Sequence, residues 1–127
     1  MNLLLDTHTL IWWFTGSKSI SSRAAEAIRN PENEVFVSAI SFMEISIKSN
    51  LGKMPLMDLD KLSEYMETDS MLHLPVHSRH AQMVGSLPAI HQDPFDRTLV
   101  AQSMVENLQL VTRDQILERY DIRIIKA

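Results

Sequence analysis

The spacing of apolar residues alternates along the chain between the pattern of a strand and the pattern of a helix. Five short apolar or alternating runs are typical of strands: NLLL (2–5), EVFVS (34–38), LHLPV (72–76), QLVT (109–112) and IRII (122–125). The segments between them favour helices: HTLIWWF (8–14), SSRAAEAIRN (21–30), AISFMEISIKSNLG (39–52), DLDKLSEYMETD (58–69), HSRHAQMVGSL (77–87), FDRTLVAQSMVENL (95–108) and DQILERY (114–120). This alternation predicts βαβ units, and therefore an α/β three-layer sandwich with a mostly parallel central sheet flanked by helices.

Length and composition are those of an ordinary globular chain. The 127 residues are 45% hydrophobic, so we predict a single domain over residues 1–127 with one core. The longest uninterrupted apolar run, LIWWF, is far too short to span a membrane, and we expect a cytosolic protein without a membrane partner. The absence of cysteine excludes disulfides, thiolate zinc sites and cysteine nucleophiles, so any metal must be held by oxygen or imidazole.

Two acids follow predicted strands. Asp6 comes directly after the first strand, and Asp114 lies two residues after the strand at 109–112. In parallel α/β sheets, ligands bind in the crevice beyond the carboxyl ends of the strands. We therefore expect both carboxylates to point toward that crevice.

A third acid interrupts an apolar helix face. Glu44 shares a stripe with Ile40, Ile47 and Leu51 in the helix at 39–52. A buried carboxylate without a partner costs several kcal/mol. Two explanations stay open, since Glu44 could bind a metal with the other acids or pair with Lys48 one turn later.

The stretch HQDPFDR (91–97) permits both capping and catalysis. Asp93 fits the N-cap position and Pro94 the first helical turn, so Asp93 and Asp96 can be read as a helix start signal. Asp96 also precedes Leu99 and Val100 by three and four residues, which places it at the start of the buried face. The two interpretations are compatible, because a capped helix start would aim Asp96 at the other acids.

Clustered carboxylates repel one another, and each takes up a proton near neutral pH unless a cation compensates. Oxygen ligands without cysteine suit a hard ion, Mg²⁺ or Mn²⁺. Such an ion can activate a water for attack on a phosphodiester. A net charge of −4 does not exclude a nucleic-acid partner, because setting five clustered acids aside leaves eleven against 12 Lys and Arg.

Several neighbours of these acids are candidates for supporting roles. Thr7 and Thr112 flank the strand ends and could bond or ligate, although threonine after a strand is also ordinary turn chemistry. Four basic neighbours of the acids, Arg97, Arg113, Lys48 and Lys53, could hold phosphates or be solvated or salt-bridged surface charges. His91 lies close to the acids in sequence and could contact RNA, but we expect a solvated loop histidine.

Four segments together carry a family resemblance: LLLDTHTLIWWF, VSAISFMEISIKSNLGK, DPFDRTLVAQSMVENLQLVTRD and the closing Y..IRII. The chain resembles the PIN-domain ribonucleases, specifically the VapC-type toxins of bacterial toxin–antitoxin pairs, from Asn2 to Ile125.

The resemblance implies particular site residues and partners. The family's four acids match Asp6, Glu44, Asp96 and Asp114, and Asp93 of the DPFDR variant would support the site. It further implies a Mg²⁺- or Mn²⁺-dependent endoribonuclease that acts on RNA as a homodimer and is inhibited by a small antitoxin.

Two other classes of protein share parts of this pattern. An aspartate-based phosphotransfer protein also places acids at strand ends, but the phosphatase pattern requires a second Asp where His8 stands, and a receiver requires paired acids after the first strand. A non-catalytic PIN-fold interaction module would have no reason to keep four mutually repelling acids.

Overall fold

The centre of the protein is a five-stranded sheet in which every pairing is parallel, in the order β3-β2-β1-β4-β5. The computed structural model describes all residues from Met1 to Ala127. The strands are β1 Asn2–Leu5, β2 Glu34–Ser38, β3 Leu72–Leu74, β4 Gln109–Thr112 and β5 Ile124–Lys126. The predicted α/β architecture is confirmed.

Six helices connect the strands: α1 Thr7–Thr15, α2 Ser22–Arg29, α3 Ala39–Asn50, α4 Leu59–Thr68, α5 Ser78–Ser86 and α6 Pro94–Glu106. Each of them begins with an extended N-cap residue, as Ser21 does for α2, where its hydroxyl accepts the N–H of Ala24. The run at 114–120 forms a 3₁₀ turn, Gln115–Arg119, rather than an α-helix. None of the helices is long and apolar enough to cross a membrane.

The sheet divides the predicted core into two apolar clusters, one on each face. Leu3 and Leu5 point into a cluster with residues of α1, α2 and α4, whereas Leu4 between them points into a cluster with α6. All three leucines are fully buried, as expected for a strand covered on both faces.

The last strand differs from its predicted position. It covers Ile124–Lys126 instead of 122–125, because the N–H of Ile122 bonds the carbonyl of Tyr120 in a tight turn and Arg123 only then enters the sheet. The turn could not be distinguished from a strand by the apolar pattern alone.

The buried face of α3 also differs from the predicted stripe. Ile47 and Leu51 are 44% and 63% exposed, while Ser41, Glu44 and Ile45 are buried. The expectation that Glu44 is buried is correct, and Ile40 is half-buried against the core, but the assignment of Ile47 and Leu51 to a buried face was wrong. Ser41 lies where α3 meets α1, and its hydroxyl accepts a hydrogen bond from the hydroxyl of Thr7 at 3.0 Å. A small side chain at this position permits the close approach of the two helices.

The strand order fixes where a ligand can bind. After β1 the chain crosses to β2 on one side of β1, whereas β4 pairs with β1 on the other side. The strand order reverses at this point, and a crevice therefore opens beyond the carboxyl ends of β1 and β4. Asp6 follows β1 and Asp114 follows β4 at that edge.

Candidate metal and active site

Asp6 is fixed at the junction of β1 and α1. It is the N-cap of α1, and its Oδ1 accepts the N–H of Thr9 at 2.8 Å. Its Oδ2 accepts the hydroxyl of Thr112 at 2.5 Å. Burial raises the pKa of Asp6, and these hydrogen bonds offset the increase only in part. A carboxylate with this orientation and burial is expensive to ionise unless a cation lies nearby.

Glu44 lies on α3 with 3% of its surface exposed. Its Oε2 pairs with the Lys48 ammonium at 2.5 Å, so the predicted ion pair within the helix is present. Its Oε1 is buried and has no hydrogen-bond partner. An unpaired buried carboxylate oxygen is costly, and therefore the ion pair alone does not account for Glu44.

The start of α6 combines capping with a carboxylate of strongly altered acidity. Asp93 is the N-cap and accepts the N–H groups of Phe95 and Asp96 at 2.8 and 3.3 Å, with Pro94 in the first turn. Burial first, and then the negative charges of Asp93 and Glu44, together raise the pKa of Asp96 to about 7. The predicted double role of this stretch in capping and in the acidic cluster agrees with this geometry.

Asp114 reaches the same edge from β4. Its Oδ1 accepts the N–H of Ile116 and thereby caps the 3₁₀ turn. The Thr112 hydroxyl that donates to Asp6 also accepts the N–H of Asp114 at 3.1 Å. Thr112 therefore holds two of the predicted acids in a fixed relation.

His91 joins the cluster, contrary to the expectation of a solvated loop histidine. Its side chain is only 18% exposed, and its Nε2 lies 3.2 Å from Oδ2 of Asp96 and 3.2 Å from Oδ2 of Asp114. Sequence reasoning missed it because the contact to Asp114 joins residues that are distant in the chain. Its position two residues before Asp93 was the one available signal.

Both arginines considered for phosphate binding are engaged with backbone carbonyls, which disfavours that alternative. The guanidinium of Arg97 donates to the backbone carbonyls of Val84, Leu87, Pro88 and His91. Arg97 thereby closes the loop between α5 and α6, because it bonds the carbonyls of Leu87 and His91 and adds a second donor to those of Val84 and Pro88, which also accept backbone N–H groups.

Arg113 is likewise directed away from the acids. It donates to the carbonyls of Ala127 and Ser19, and its guanidinium lies 4.6 Å from the ring centroid of Trp12. Its contacts tie the C-terminus to the segment after α1. Thr7 also bonds Ser41 rather than a carboxylate.

The donor set fits a hard divalent cation. Besides burial, the negative charges of Asp93, Glu44 and Asp6 raise the pKa of Asp96. Asp114 and Asp96 both contact Nε2 of His91. The unpartnered Oε1 of Glu44 and the raised pKa of Asp96 both indicate that protein groups alone do not compensate this negative charge. Carboxylate oxygens are the ligands that Mg²⁺ and Mn²⁺ prefer.

Comparison with known proteins identifies the fold family. The family model described as PIN domain matches residues 3–123. The chain belongs to the PIN-domain family. The resemblance noted from the sequence motifs is thereby confirmed, and the PIN fold excludes the aspartate-based phosphotransfer folds considered above.

Individual relatives extend this family assignment. The chain is 28% identical over 123 residues to Ribonuclease VapC22 of Mycobacterium tuberculosis, covering 93% of this chain and 91% of the relative. The structure of VapBC2 from Rickettsia felis bound to a promoter DNA fragment aligns with TM-score 0.74 at 16% identity, over 98% of both chains. DNA-bound VapBC from Salmonella typhimurium aligns with TM-score 0.70 at 20% identity, over 98% and 97%. At these identities the two structures show the shared fold.

The PIN-domain topology explains why acids from four separate segments converge. Asp6 and Asp114 come from the ends of adjacent strands β1 and β4. Glu44 and Asp96 come from α3 and α6, which contact each other at the carboxyl edge of the sheet. The family's VapC ribonucleases depend on divalent metal, which agrees with this arrangement.

Proposed function

We propose that this PIN-domain protein is a Mg²⁺- or Mn²⁺-dependent endoribonuclease and the toxin of a toxin–antitoxin pair. The observation that carries the proposal is the buried, unpartnered Oε1 of Glu44 within a group of mutually repelling carboxylates. Stability alone would not favour such a group, since apolar residues at these positions would avoid its electrostatic cost. The similarity to Ribonuclease VapC22 supports RNA as the substrate.

The proposed ligands of the ion are Asp6, Glu44, Asp96 and Asp114. When bound, a divalent ion lowers the pKa of a coordinated water and neutralises negative charge that develops on the phosphodiester. The hydrolysis then needs no nucleophilic side chain.

The other residues prepare these ligands for binding. Thr112 and the N–H of Thr9 each bond one oxygen of Asp6, which fixes the orientation of the carboxylate before an ion arrives. Asp93 caps α6 and so sets the direction in which Asp96 projects. These hydrogen bonds reduce the reorganisation that ion binding would otherwise require.

Lys48 is the cation available beside the acids. The hydrogen bond to Glu44 raises the pKa of its ammonium, with the charges of Asp93 and Asp96 adding to the effect, so Lys48 stays protonated at neutral pH. We propose that the ammonium contacts an RNA phosphate when Glu44 turns its charge toward an ion. Among the basic residues considered near the acids, Lys48 replaces Arg97 and Arg113 in this role.

The proposed partners are a small cognate antitoxin and a second copy of the chain. VapBC complexes are toxin–antitoxin assemblies, and two of them share the fold of nearly the whole chain. An antitoxin that occupies the acidic crevice would block both RNA and metal access.

A cleavage assay with matched variants tests the function. Purified protein is incubated with total cellular RNA in Mn²⁺, in Mg²⁺ and in EDTA, and new 5′ ends are sequenced. We expect a few discrete cuts that disappear in EDTA and in the Asp96→Asn variant but persist in Asp60→Asn, which alters an exposed acid on α4. Cleavage that survives in Asp96→Asn would contradict the assignment. Binding of the neighbouring small protein without any cleavage would instead favour a non-catalytic interaction module.

A further inference from the structure

The ring of His91 is held in one tautomer. Its Nδ1 accepts the backbone N–H of Asp93 at 3.1 Å. A nitrogen that accepts a hydrogen bond carries no proton, so the neutral ring bears its proton on Nε2. This proton points toward the acidic cluster.

The backbone of His91 is fixed from two sides. Its N–H donates to the Tyr120 hydroxyl at 2.9 Å, and its carbonyl accepts the Arg97 guanidinium at 3.1 Å. Tyr120 is itself buried in the cluster on the α6 face of the sheet. The backbone of His91 is therefore held by hydrogen bonds to Tyr120 and Arg97, although His91 belongs to a loop.

The Nε2–H faces two carboxylates at the same distance. Oδ2 of Asp114 accepts a hydrogen bond from Nε2–H at 3.2 Å, and Oδ2 of Asp96 lies at the same distance from Nε2, where the positive end of the N–H dipole attracts it. Without that donor the two carboxylates would repel each other and turn apart. Asp96 and Asp114 come from α6 and from the end of β4, so no local hydrogen bond connects them otherwise.

We propose that His91 is a positioning residue whose single Nε2–H keeps Asp96 and Asp114 convergent for the divalent ion. This inference rests on the proposed function of the acidic cluster. Oδ1 of Asp96 stays available for the ion, and Asp114, whose Oδ1 accepts the N–H of Ile116, offers the remaining lone pairs of its oxygens, an arrangement in which an outer donor orients metal ligands.

The alternative to positioning is that Nε2 of His91 binds the ion directly. The ligand atoms of His91, Asp96 and Asp114 all lie within 4.8 Å of one another. Ligation through Nε2 requires the ring proton on Nδ1, where it would face the N–H of Asp93 donor to donor. The hydrogen bond from Asp93 therefore favours positioning over ligation.

Two substitutions test the roles of the two ring nitrogens separately. His91→Asn places an amide oxygen near Nδ1 and keeps an acceptor for the Asp93 N–H, but it loses the donor at Nε2. His91→Gln reaches the position of Nε2 with an amide N–H and keeps that donor. His73→Asn, at an exposed histidine of β3, is the matched control.

Calorimetric titration with Mn²⁺ provides a readout that does not depend on RNA cleavage. We expect His91→Asn to weaken Mn²⁺ binding about 10- to 100-fold, the effect typical of lost outer-sphere donors, and His91→Gln and His73→Asn to stay within about threefold of wild type. Unchanged affinity in His91→Asn, or equal losses in Asn and Gln, would overturn the proposal. A wild-type protein that binds no Mn²⁺ would remove the proposed function as well, which distinguishes the two failures.

A second measurement needs no variant. Long-range ¹H–¹⁵N correlation spectra of the wild-type protein distinguish the two neutral tautomers of histidine. We expect His91 to be protonated at Nε2 both with and without Mg²⁺, the diamagnetic ion. A signal for Nδ1–H with Mg²⁺ bound would show that Nε2 ligates the ion and would overturn the positioning role.

Discussion

Replacing Asp96 with Asn should stabilise the metal-free protein while abolishing its metal-dependent activity. The folded protein binds the Asp96 proton more tightly than the unfolded chain, because burial and the charges of Asp93 and Glu44 raise the pKa from 3.8 to about 7. Above pH 7 the fold must therefore carry an ionised carboxylate that its surroundings disfavour. Asn has nearly the same shape and no charge.

The size of this effect follows from the pKa of Asp96. At about 1.36 kcal/mol per pH unit, ionised Asp96 destabilises the fold by at most about 4 kcal/mol. Its side chain is 21% exposed, so solvent screening reduces the expected gain to about 2 kcal/mol.

The sign of the pH dependence is equally specific. The contribution of protonated Asp96 is fully present below the unfolded pKa of 3.8 and is lost as pH rises through about 7. The advantage of Asp96→Asn over wild type should therefore grow between pH 4 and pH 7 and stay constant above.

Urea unfolding in EDTA at pH 5 and pH 8 measures this difference, with Asp60→Asn as the control for removal of an exposed acid. Addition of Mn²⁺ should stabilise wild type and leave Asp96→Asn unchanged, because ligands stabilise only the state that binds them. An Asp96→Asn variant less stable than wild type at pH 8 in EDTA would refute the electrostatic reasoning.

Three further predictions concern the surroundings of the acids. Lys48→Met removes the partner of buried Glu44 and should destabilise the metal-free protein by about 2 kcal/mol, and Mn²⁺ should reverse this loss. Melting curves with and without Mn²⁺ measure it, and a variant that Mn²⁺ does not stabilise would contradict the prediction. Thr112→Val removes the hydrogen-bond donor to Asp6 and should lower the free energy of unfolding by about 1–3 kcal/mol and also lower the cleavage rate. A variant with both the stability and the cleavage rate of wild type would contradict it. Arg97→Met leaves the carbonyls of Leu87 and His91 without their donor and should cost about 3 kcal/mol in urea unfolding without changing the Mn²⁺ affinity of the folded protein. Weaker Mn²⁺ binding would contradict its structural role.

The fold was largely predictable because each element carries its own local signals. The strand at 34–38 agrees residue for residue, since its alternating β-branched residues match a buried strand. The strand at 122–125 was misplaced, because the turn at Tyr120 and Ile122 depends on contacts that the apolar pattern does not encode.

The acidic cluster was predictable for a different reason. Charges at positions where a core is expected are costly, and this cost singles out Glu44 even though Ile47 and Leu51 do not share its buried face. The roles of His91 and Arg97 depend on hydrogen bonds to other segments, including the Tyr120 hydroxyl, and no local pattern encodes them.

The most direct test of the central claim is a crystal of the protein grown with Mn²⁺ and measured for anomalous scattering at the manganese edge. We expect a peak at the carboxyl edge of β1 and β4, with Oε1 of Glu44 and oxygens of Asp6, Asp96 and Asp114 within about 2.0–2.4 Å or joined to it by a single water. No peak at saturating Mn²⁺, or a peak whose ligands omit Glu44 and Asp96, would contradict it.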